Sequence, residues 1–230
     1  MHPLLPALQK GLDVLGMSLA DEQQAQLLAY MDLIGKWTKV YNLTAVRDAN
    51  EMLTYHLLDS LAVIAPLRRE LAGLPTSDAD AAAERGDAKF AQKKFSLLDV
   101  GAGAGLPGIV IAIACPEVSV TCVDTVAKKA AFIKQVAATL KLPNLKGLHA
   151  RVESLTQPYD VVCSRAFASL IDFTTWSKSA LASHGVWMAM KGKHPDQELA
   201  VLPESVKVFH VEQLQVPGLD ADRCIIWMRG

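Results

Sequence analysis

Twelve residues, LLDVGAGAGLPG from Leu97 to Gly108, limit the possible folds of this chain more than any other stretch. An apolar run carrying Asp99 passes directly into a loop with glycine at 101, 103, 105 and 108. Glycine takes positive φ without a Cβ penalty and lets backbone approach a ligand, so a strand ending this way sets bare peptide N–H groups against a cofactor's polar tail. Pro107 suits the first turn of a following helix, where its missing N–H costs nothing. A nucleotide-containing cofactor at a strand end is the expectation.

From Phe95 onward the chain alternates strand and helix. Apolar runs at Phe95–Val100, Val118–Asp124, Leu145–Ala150, Tyr159–Ser164, Val186–Met190, Val206–Val216 and Cys224–Met228 read as strands. Leu106–Ala114, Val126–Leu140 and Ser169–Leu181 read as helices, and the stretch between Ala150 and Tyr159 has room for one turn. This alternation implies a mostly parallel α/β sheet with right-handed crossovers. Pro217-Gly218-Leu219-Asp220 turns the last two strands into an antiparallel hairpin.

Before Phe95 the pattern is helical. Leu5, Leu8, Leu12 and Leu15 form one stripe, and Leu27, Leu28, Met31, Ile34, Trp37 and Tyr41 form a second, with Ser18 and Asp21 as its capping signature. A third helix fits Glu51–Ile64, capped by Asp48 or Asn50, with Pro66 just past its end. Ala72 to Lys94 is alanine-rich and poor in large apolar residues, and reads as a linker or loop. The expected organisation is a helical region at 1–71, the loop at 72–94 and a cofactor-binding domain at 95–230, packed as one unit.

The 230 residues suffice for one α/β domain with an N-terminal helical extension, and a hydrophobic content of 51% excludes a disordered chain. A net charge of -1 excludes a globally basic nucleic-acid binder but leaves room for a local basic patch. Cys115, Cys122, Cys163 and Cys224 have neither metal-ligand nor redox spacing, and read as packed thiols in a reducing compartment. No apolar run approaches membrane-spanning length, so a cytoplasmic protein with no membrane partner is expected.

Two registers fit the glycine loop. Gly103, Gly105 and Gly108 spell GxGxxG, the dinucleotide fingerprint, with Asp124 at the next strand end to take a ribose. Gly101, Gly103 and Gly105 spell GxGxG behind Asp99, the pattern of Rossmann-like class I methyltransferases that use S-adenosylmethionine (SAM). A nicotinamide enzyme needs a proton donor beside its substrate, and neither a Tyr-x-x-x-Lys pair nor a second domain is found. The terminal hairpin resembles the methyltransferase sheet, expected as seven mostly parallel strands. A SAM-binding protein without activity and a small-molecule methyltransferase are the other readings.

Beyond the loop, the chain carries KWTKVYNLTAVRD (Lys36 to Asp48), HLLDS (His56 to Ser60), RVE (Arg151 to Glu153), SRAFASL (Ser164 to Leu170), MKG (Met190 to Gly192) and LQVPGLDADR (Leu214 to Arg223). With DVGAGAGLPG these resemble, over nearly the whole length, the bacterial small-subunit (16S) ribosomal RNA guanine-N7 methyltransferases, also called glucose-inhibited division protein B. Two departures stand out: the Ala72 to Lys94 segment is long, and Ala104 stands where many members have proline.

The resemblance implies a cofactor site of Gly101, Gly103, Gly105 and Leu106 at the methionyl end of SAM, Asp124 at the ribose, and Val152 and Glu153 at the adenine. Arg165, Lys191 and Lys193, with His194 nearby, stand at strand ends on the same edge and suit RNA phosphate or the cofactor's carboxylate. His56 and Asp59, at i and i+3, share a helical face and are placed to bond each other. Tyr41, Asn42 and Thr44 read as core first and site second, and Lys128, Lys129 and Lys134 as a solvated face. No metal is implied and no catalytic base, because guanine N7 carries no proton. The implied partner is small-subunit RNA within the ribosomal subunit or an assembly intermediate.

Overall fold

A computed structural model describes residues 1–74, 95–165, 167 and 169–230. From residue 75 on, the expected loop lies outside the described residues, as do positions 166 and 168 of SRAFASL.

Helices α1 (Leu5–Val14) and α2 (Asp21–Tyr41) bury the stripes read from the sequence: Leu8, Leu12, Leu27, Leu28, Met31 and Ile34 are at most 3% exposed. Tyr41 departs from its stripe and is 43% exposed, because it is the last helical residue before Asn42 turns the chain at φ 50°. Ser18 is not the cap. The Ala20 N–H donates to Gln23 Oε1 at 3.0 Å, and the helix starts at Asp21.

The third helix is broken into pieces. Asp48 caps α3 (Ala49–Met52), its Oδ1 accepting from the Asn50 and Glu51 N–H groups at 2.9 and 3.0 Å. The chain then widens into a π turn over Leu53–Leu58 and tightens again in α4 (Asp59–Leu61). Such a turn adds a residue to one helical repeat and so re-aims the side chains on either side of it. Pro66 does not follow a helix but sits in the first turn of α5 (Ile64–Gly73), where no intrahelical N–H bond is lost.

The strands are β1 (Phe95–Val100), β2 (Val118–Asp124), β3 (Leu145–His149), β4 (Tyr159–Ser164), β5 (Leu181–Lys191), β6 (Lys207–Gln213) and β7 (Cys224–Arg229). They form one seven-stranded sheet in the order β3-β2-β1-β4-β5-β7-β6. The first five run parallel, and β7 enters antiparallel between β5 and β6, so the expected class of sheet and its terminal hairpin are both observed. Between the strands lie α6 (Gly108–Ala114), α7 (Ala127–Thr139), a single 3-10 turn at Val152–Ser154 and α8 (Leu170–Ser177). Strand β5 begins at Leu181, five residues before the expected Val186, and a short helix α9 (Asp196–Ala200) follows it that the sequence did not announce.

Each face of the sheet is covered. Helices α6 and α7 share one core cluster with the N-terminal helices, and α8 covers the other face with Leu170 and Phe173. Every residue of α6 is buried. The N-terminal helices also reach α6 and the glycine loop by polar bonds: Gln23 Nε2 donates to Ile113 O at 2.7 Å, Arg68 Nη2 to Ala114 O at 2.9 Å, and the wholly buried Tyr30 hydroxyl to Ala104 O at 2.7 Å. Each bond contributes on the order of 1 kcal/mol net. The Tyr30 bond sets an N-terminal helix directly on the glycine loop. All four cysteines are free and buried.

Candidate active site

Parallel strands deliver their C-terminal ends to one edge, and there β1 gives the glycine loop, β2 gives Asp124, β3 leads to Val152 and Glu153, β4 to Arg165 and β5 to Lys191. Ligands in open α/β sheets bind at this edge. Gly101, Gly103 and Gly105 hold φ of 66°, 60° and 90°, the left-handed region that side chains resist. Gly108 does a different job. A Cβ there would meet Cys122 Sγ at 2.4 Å and the Asp99 carboxylate at 2.8 Å, so the glycine lets α6 lie against β1 and β2.

The loop's donors are spent at home. Gly101 and Ala102 N–H donate to Val123 O, Gly105 and Leu106 N–H to Ala102 O, Gly103 N–H to Asp124 Oδ2 and Gly108 N–H to Asp99 Oδ2. The expectation of a row of free N–H groups therefore needs correction: the glycines permit tight turning and close approach, and most of their hydrogen bonds hold the loop itself. Leu106 lies below the loop, 4% exposed in the core cluster. At Gly101 a Cβ would meet nothing within 4 Å, so the absent side chain leaves the mouth of a cleft clear.

That cleft, of about 300 Å³, is lined by Asp124, Val152 and Glu153, the residues expected at the nucleoside, and by Gly101, expected at the methionyl end. Asp124 is buried, with Oδ1 accepting the Val126 N–H at 2.8 Å and Lys129 Nζ 3.6 Å from Oδ2. It thus pins the glycine loop and the turn that leads into α7 while still facing the cleft. Lys129 belongs to this site rather than to a solvated face. Lys128 Nζ stands 5.3 Å from the centroid of the exposed Tyr41 ring. Glu153 pairs with Arg151 at 3.1 Å, and its own backbone N–H together with Arg151 holds its carboxyl below the usual range. Phe167 and Trp176 complete the wall with ring centroids 5.4 Å apart, two residues that periodicity could not single out because both also fit an apolar face.

A second cleft of about 350 Å³ opens beside it, with Arg165, Lys191, Gly192 and Arg223 on its walls. Lys191 is not a free cation, since its Nζ lies 2.9 Å from both carboxylate oxygens of Glu198 on α9. Lys193 is exposed on a neighbouring groove lined by residues 213–216 and 219–223, and His194 bonds Asp196 at 2.9 Å. His56 and Asp59 do not bond each other, because the π turn aims them apart. His56 Nε2 meets Thr44 Oγ1 at 2.8 Å, burial holds its imidazole below the usual pKa, and Nδ1 has no partner among the described residues. Asp59 instead takes Arg165 Nη1 at 3.1 Å and Arg223 Nε at 2.8 Å, bonds that join positions 106 and 164 residues apart.

Asp99 sits beneath the loop, wholly buried, with Oδ1 unpartnered among the described residues. Burial pushes its carboxyl up to about 7, against the Gly108 N–H and the Arg165 charge. The unfolded chain releases this proton near the usual 3.8 and the folded chain keeps it to about 7, so the folded state is the more protonated between those values. Stability should therefore fall as pH rises through that window and stay lower above it. Asp99→Asn keeps an acceptor for Gly108 and should flatten the slope. Denaturant midpoints at about pH 5 and about pH 8 check this, and an equal slope in the variant would assign it elsewhere.

A family model described as rRNA small subunit methyltransferase G matches residues 23–72 and 87–226. The chain belongs to this family. Its relatives include the ribosomal RNA small subunit methyltransferase G of Polaromonas sp. (strain JS666), 68% identical over 96% of this chain and 92% of that protein. The protein of the same name from Albidiferax ferrireducens is 66% identical over 100% of this chain and 98% of its own. Among solved structures, TrmN from Thermus thermophilus superposes on 66% of this chain and 47% of its own, with a TM-score of 0.49 at 17% identity. Among the described residues no three His, Cys, Asp or Glu side chains gather as a metal site, and no helix is long and apolar enough to cross a membrane.

Proposed function

We propose that this methyltransferase moves the methyl group of SAM to N7 of a guanosine in small-subunit ribosomal RNA. The observation that carries the reading to a site is the sheet edge, where an acid-bearing cleft and an arginine-bearing cleft open at neighbouring strand ends. When bound, SAM supplies an electrophilic methyl group on a sulfonium. Guanine N7 offers an in-plane lone pair and no proton, so the chain's side chains have no base to provide. Their work is to align the reacting atoms and exclude water.

In this reading Asp124 accepts from the ribose hydroxyls, Val152 and Glu153 meet the adenine, and the backbone at Gly101, Gly103 and Gly105 leaves room for the methionyl end, with Leu106 supporting it from below. Arg165 faces the RNA, Lys191 stiffens that wall through Glu198, and Lys193 extends the positive surface. N7 lies in the deep major groove of A-form RNA, which side chains cannot enter, so the target base must be unpaired or flipped out. A folded ribosomal subunit or assembly intermediate in the cytoplasm is the substrate that best presents such a base. Mapping N7-methylguanine in ribosomal RNA from cells with and without this protein tests the reading. One site lost on deletion and restored by the chain is expected, and an identical map overturns it.

A further inference from the structure

The arginine-bearing cleft is built around a charge that the transfer chemistry does not use. Asp59 is buried, 3% exposed in its side chain, at the point where the π turn ends. Each of its oxygens takes one guanidinium: Oδ2 from Arg165 Nη1 at 3.1 Å and Oδ1 from Arg223 Nε at 2.8 Å. Arg165 Nη1 also donates to Tyr55 O at 2.9 Å, and Arg223 Nη1 to Asp222 O at 2.8 Å. These bonds fix both forks from behind and leave Nη2 of each arginine, and Nε of Arg165, outside any bond within the described residues. Both side chains remain about one quarter exposed and line the cleft. Two guanidiniums on one carboxylate leave one positive charge, and the Lys191–Glu198 pair beside them is already neutral.

We propose that Arg165 and Arg223 form a subsite for one phosphodiester of the RNA strand, with Asp59 as the positioning residue that holds the two forks in register. A diester carries one negative charge and acceptor oxygens that match planar forks. A carboxylate such as the one on SAM has the same charge, so the source of the anion has to be tested. The cleft shares no lining residue with the nucleoside cleft, which favours the RNA. The subsite rests on the proposed function, and the test separates the two.

Small ribosomal subunits purified from cells lacking the modification are titrated against the full chain at several salt concentrations, and SAM is titrated separately. Arg223→Ala should flatten the plot of log affinity against log salt by about 0.7 to 0.9, the loss of one phosphate contact, and weaken RNA binding roughly tenfold, with SAM affinity unchanged. An unchanged salt slope overturns the phosphate, and weaker SAM binding in its place assigns the anion to the cofactor. Asp59→Asn keeps both arginines, so the salt slope should hold while kcat at saturating subunits drops roughly tenfold; an unchanged kcat removes Asp59 from the positioning role. Should that variant fail to fold, Arg223→Lys, which keeps the charge but not the Nε bond, should show the same split. The salt slopes read the subsite even if the wild-type chain transfers no methyl group to these subunits, a result that would fall on the proposed function alone.

Discussion

Arg165→Ala is expected to lower kcat/KM for RNA methylation roughly tenfold to a hundredfold while melting temperature and SAM affinity stay near wild type. The magnitude follows from removing charge-assisted hydrogen bonds at an exposed face, each of which contributes about 1.5–3 kcal/mol. The fold should survive because the buried carboxylate behind Arg165 is not abandoned: Arg223 still donates to Asp59 Oδ1. Steady-state kinetics with ribosomal RNA, beside a melting curve and a SAM titration on the same preparation, check all three parts. Wild-type turnover would remove Arg165 from the substrate side. A lost transition on melting would make it structural.

Asp124→Ala should weaken SAM binding by roughly a hundredfold, the loss expected when an ionised acceptor of two ribose hydroxyls disappears. Stability should fall as well. The Gly103 and Val126 N–H groups both donate to this carboxylate, and losing their acceptor costs about 1–3 kcal/mol. Asp124→Asn removes the charge but only one of the two acceptors, because Gly103 and Val126 donate to different carboxylate oxygens, so its loss of stability should be about half that of the alanine variant. Calorimetric titration of SAM into both variants is the measurement. Unchanged affinity in the alanine variant would leave Asp124 as a loop anchor alone.

Local patterns were legible from the sequence, and long-range pairings were not. The glycine spacing, the alternation after Phe95 and the terminal hairpin lead to the observed class of sheet, seven mostly parallel strands closed by an antiparallel pair, because each is carried by neighbouring residues. The same holds for the line-up of Asp124, Val152, Glu153, Arg165 and Lys191 along one edge, since parallel strands must deliver their ends together. Asp59 escaped for the opposite reason. Helical spacing pairs it with His56, and only the π turn and two partners more than a hundred residues away show where it points. Glu198 lies on a five-residue helix too short for any periodicity, so the neutralisation of Lys191 could not be foreseen. Tyr41 shows the limit of stripe reasoning, because a pattern that continues to the last turn says nothing about whether the core continues beneath it.

The buried cysteines carry a practical consequence. Cys122, Cys163 and Cys224 lie on three different strands and Cys115 just after α6, and burial raises all four thiols, Cys115 to about 11. Because the thiolate is the species that reacts, a native molecule offers an alkylating reagent almost nothing. Modification then proceeds only through opening, and its rate at each position becomes a clock for the local unfolding of that strand. The chain thus carries its own hydrogen-exchange-like probes at four points of its frame, ready to show which part of the sheet a bound ligand tightens.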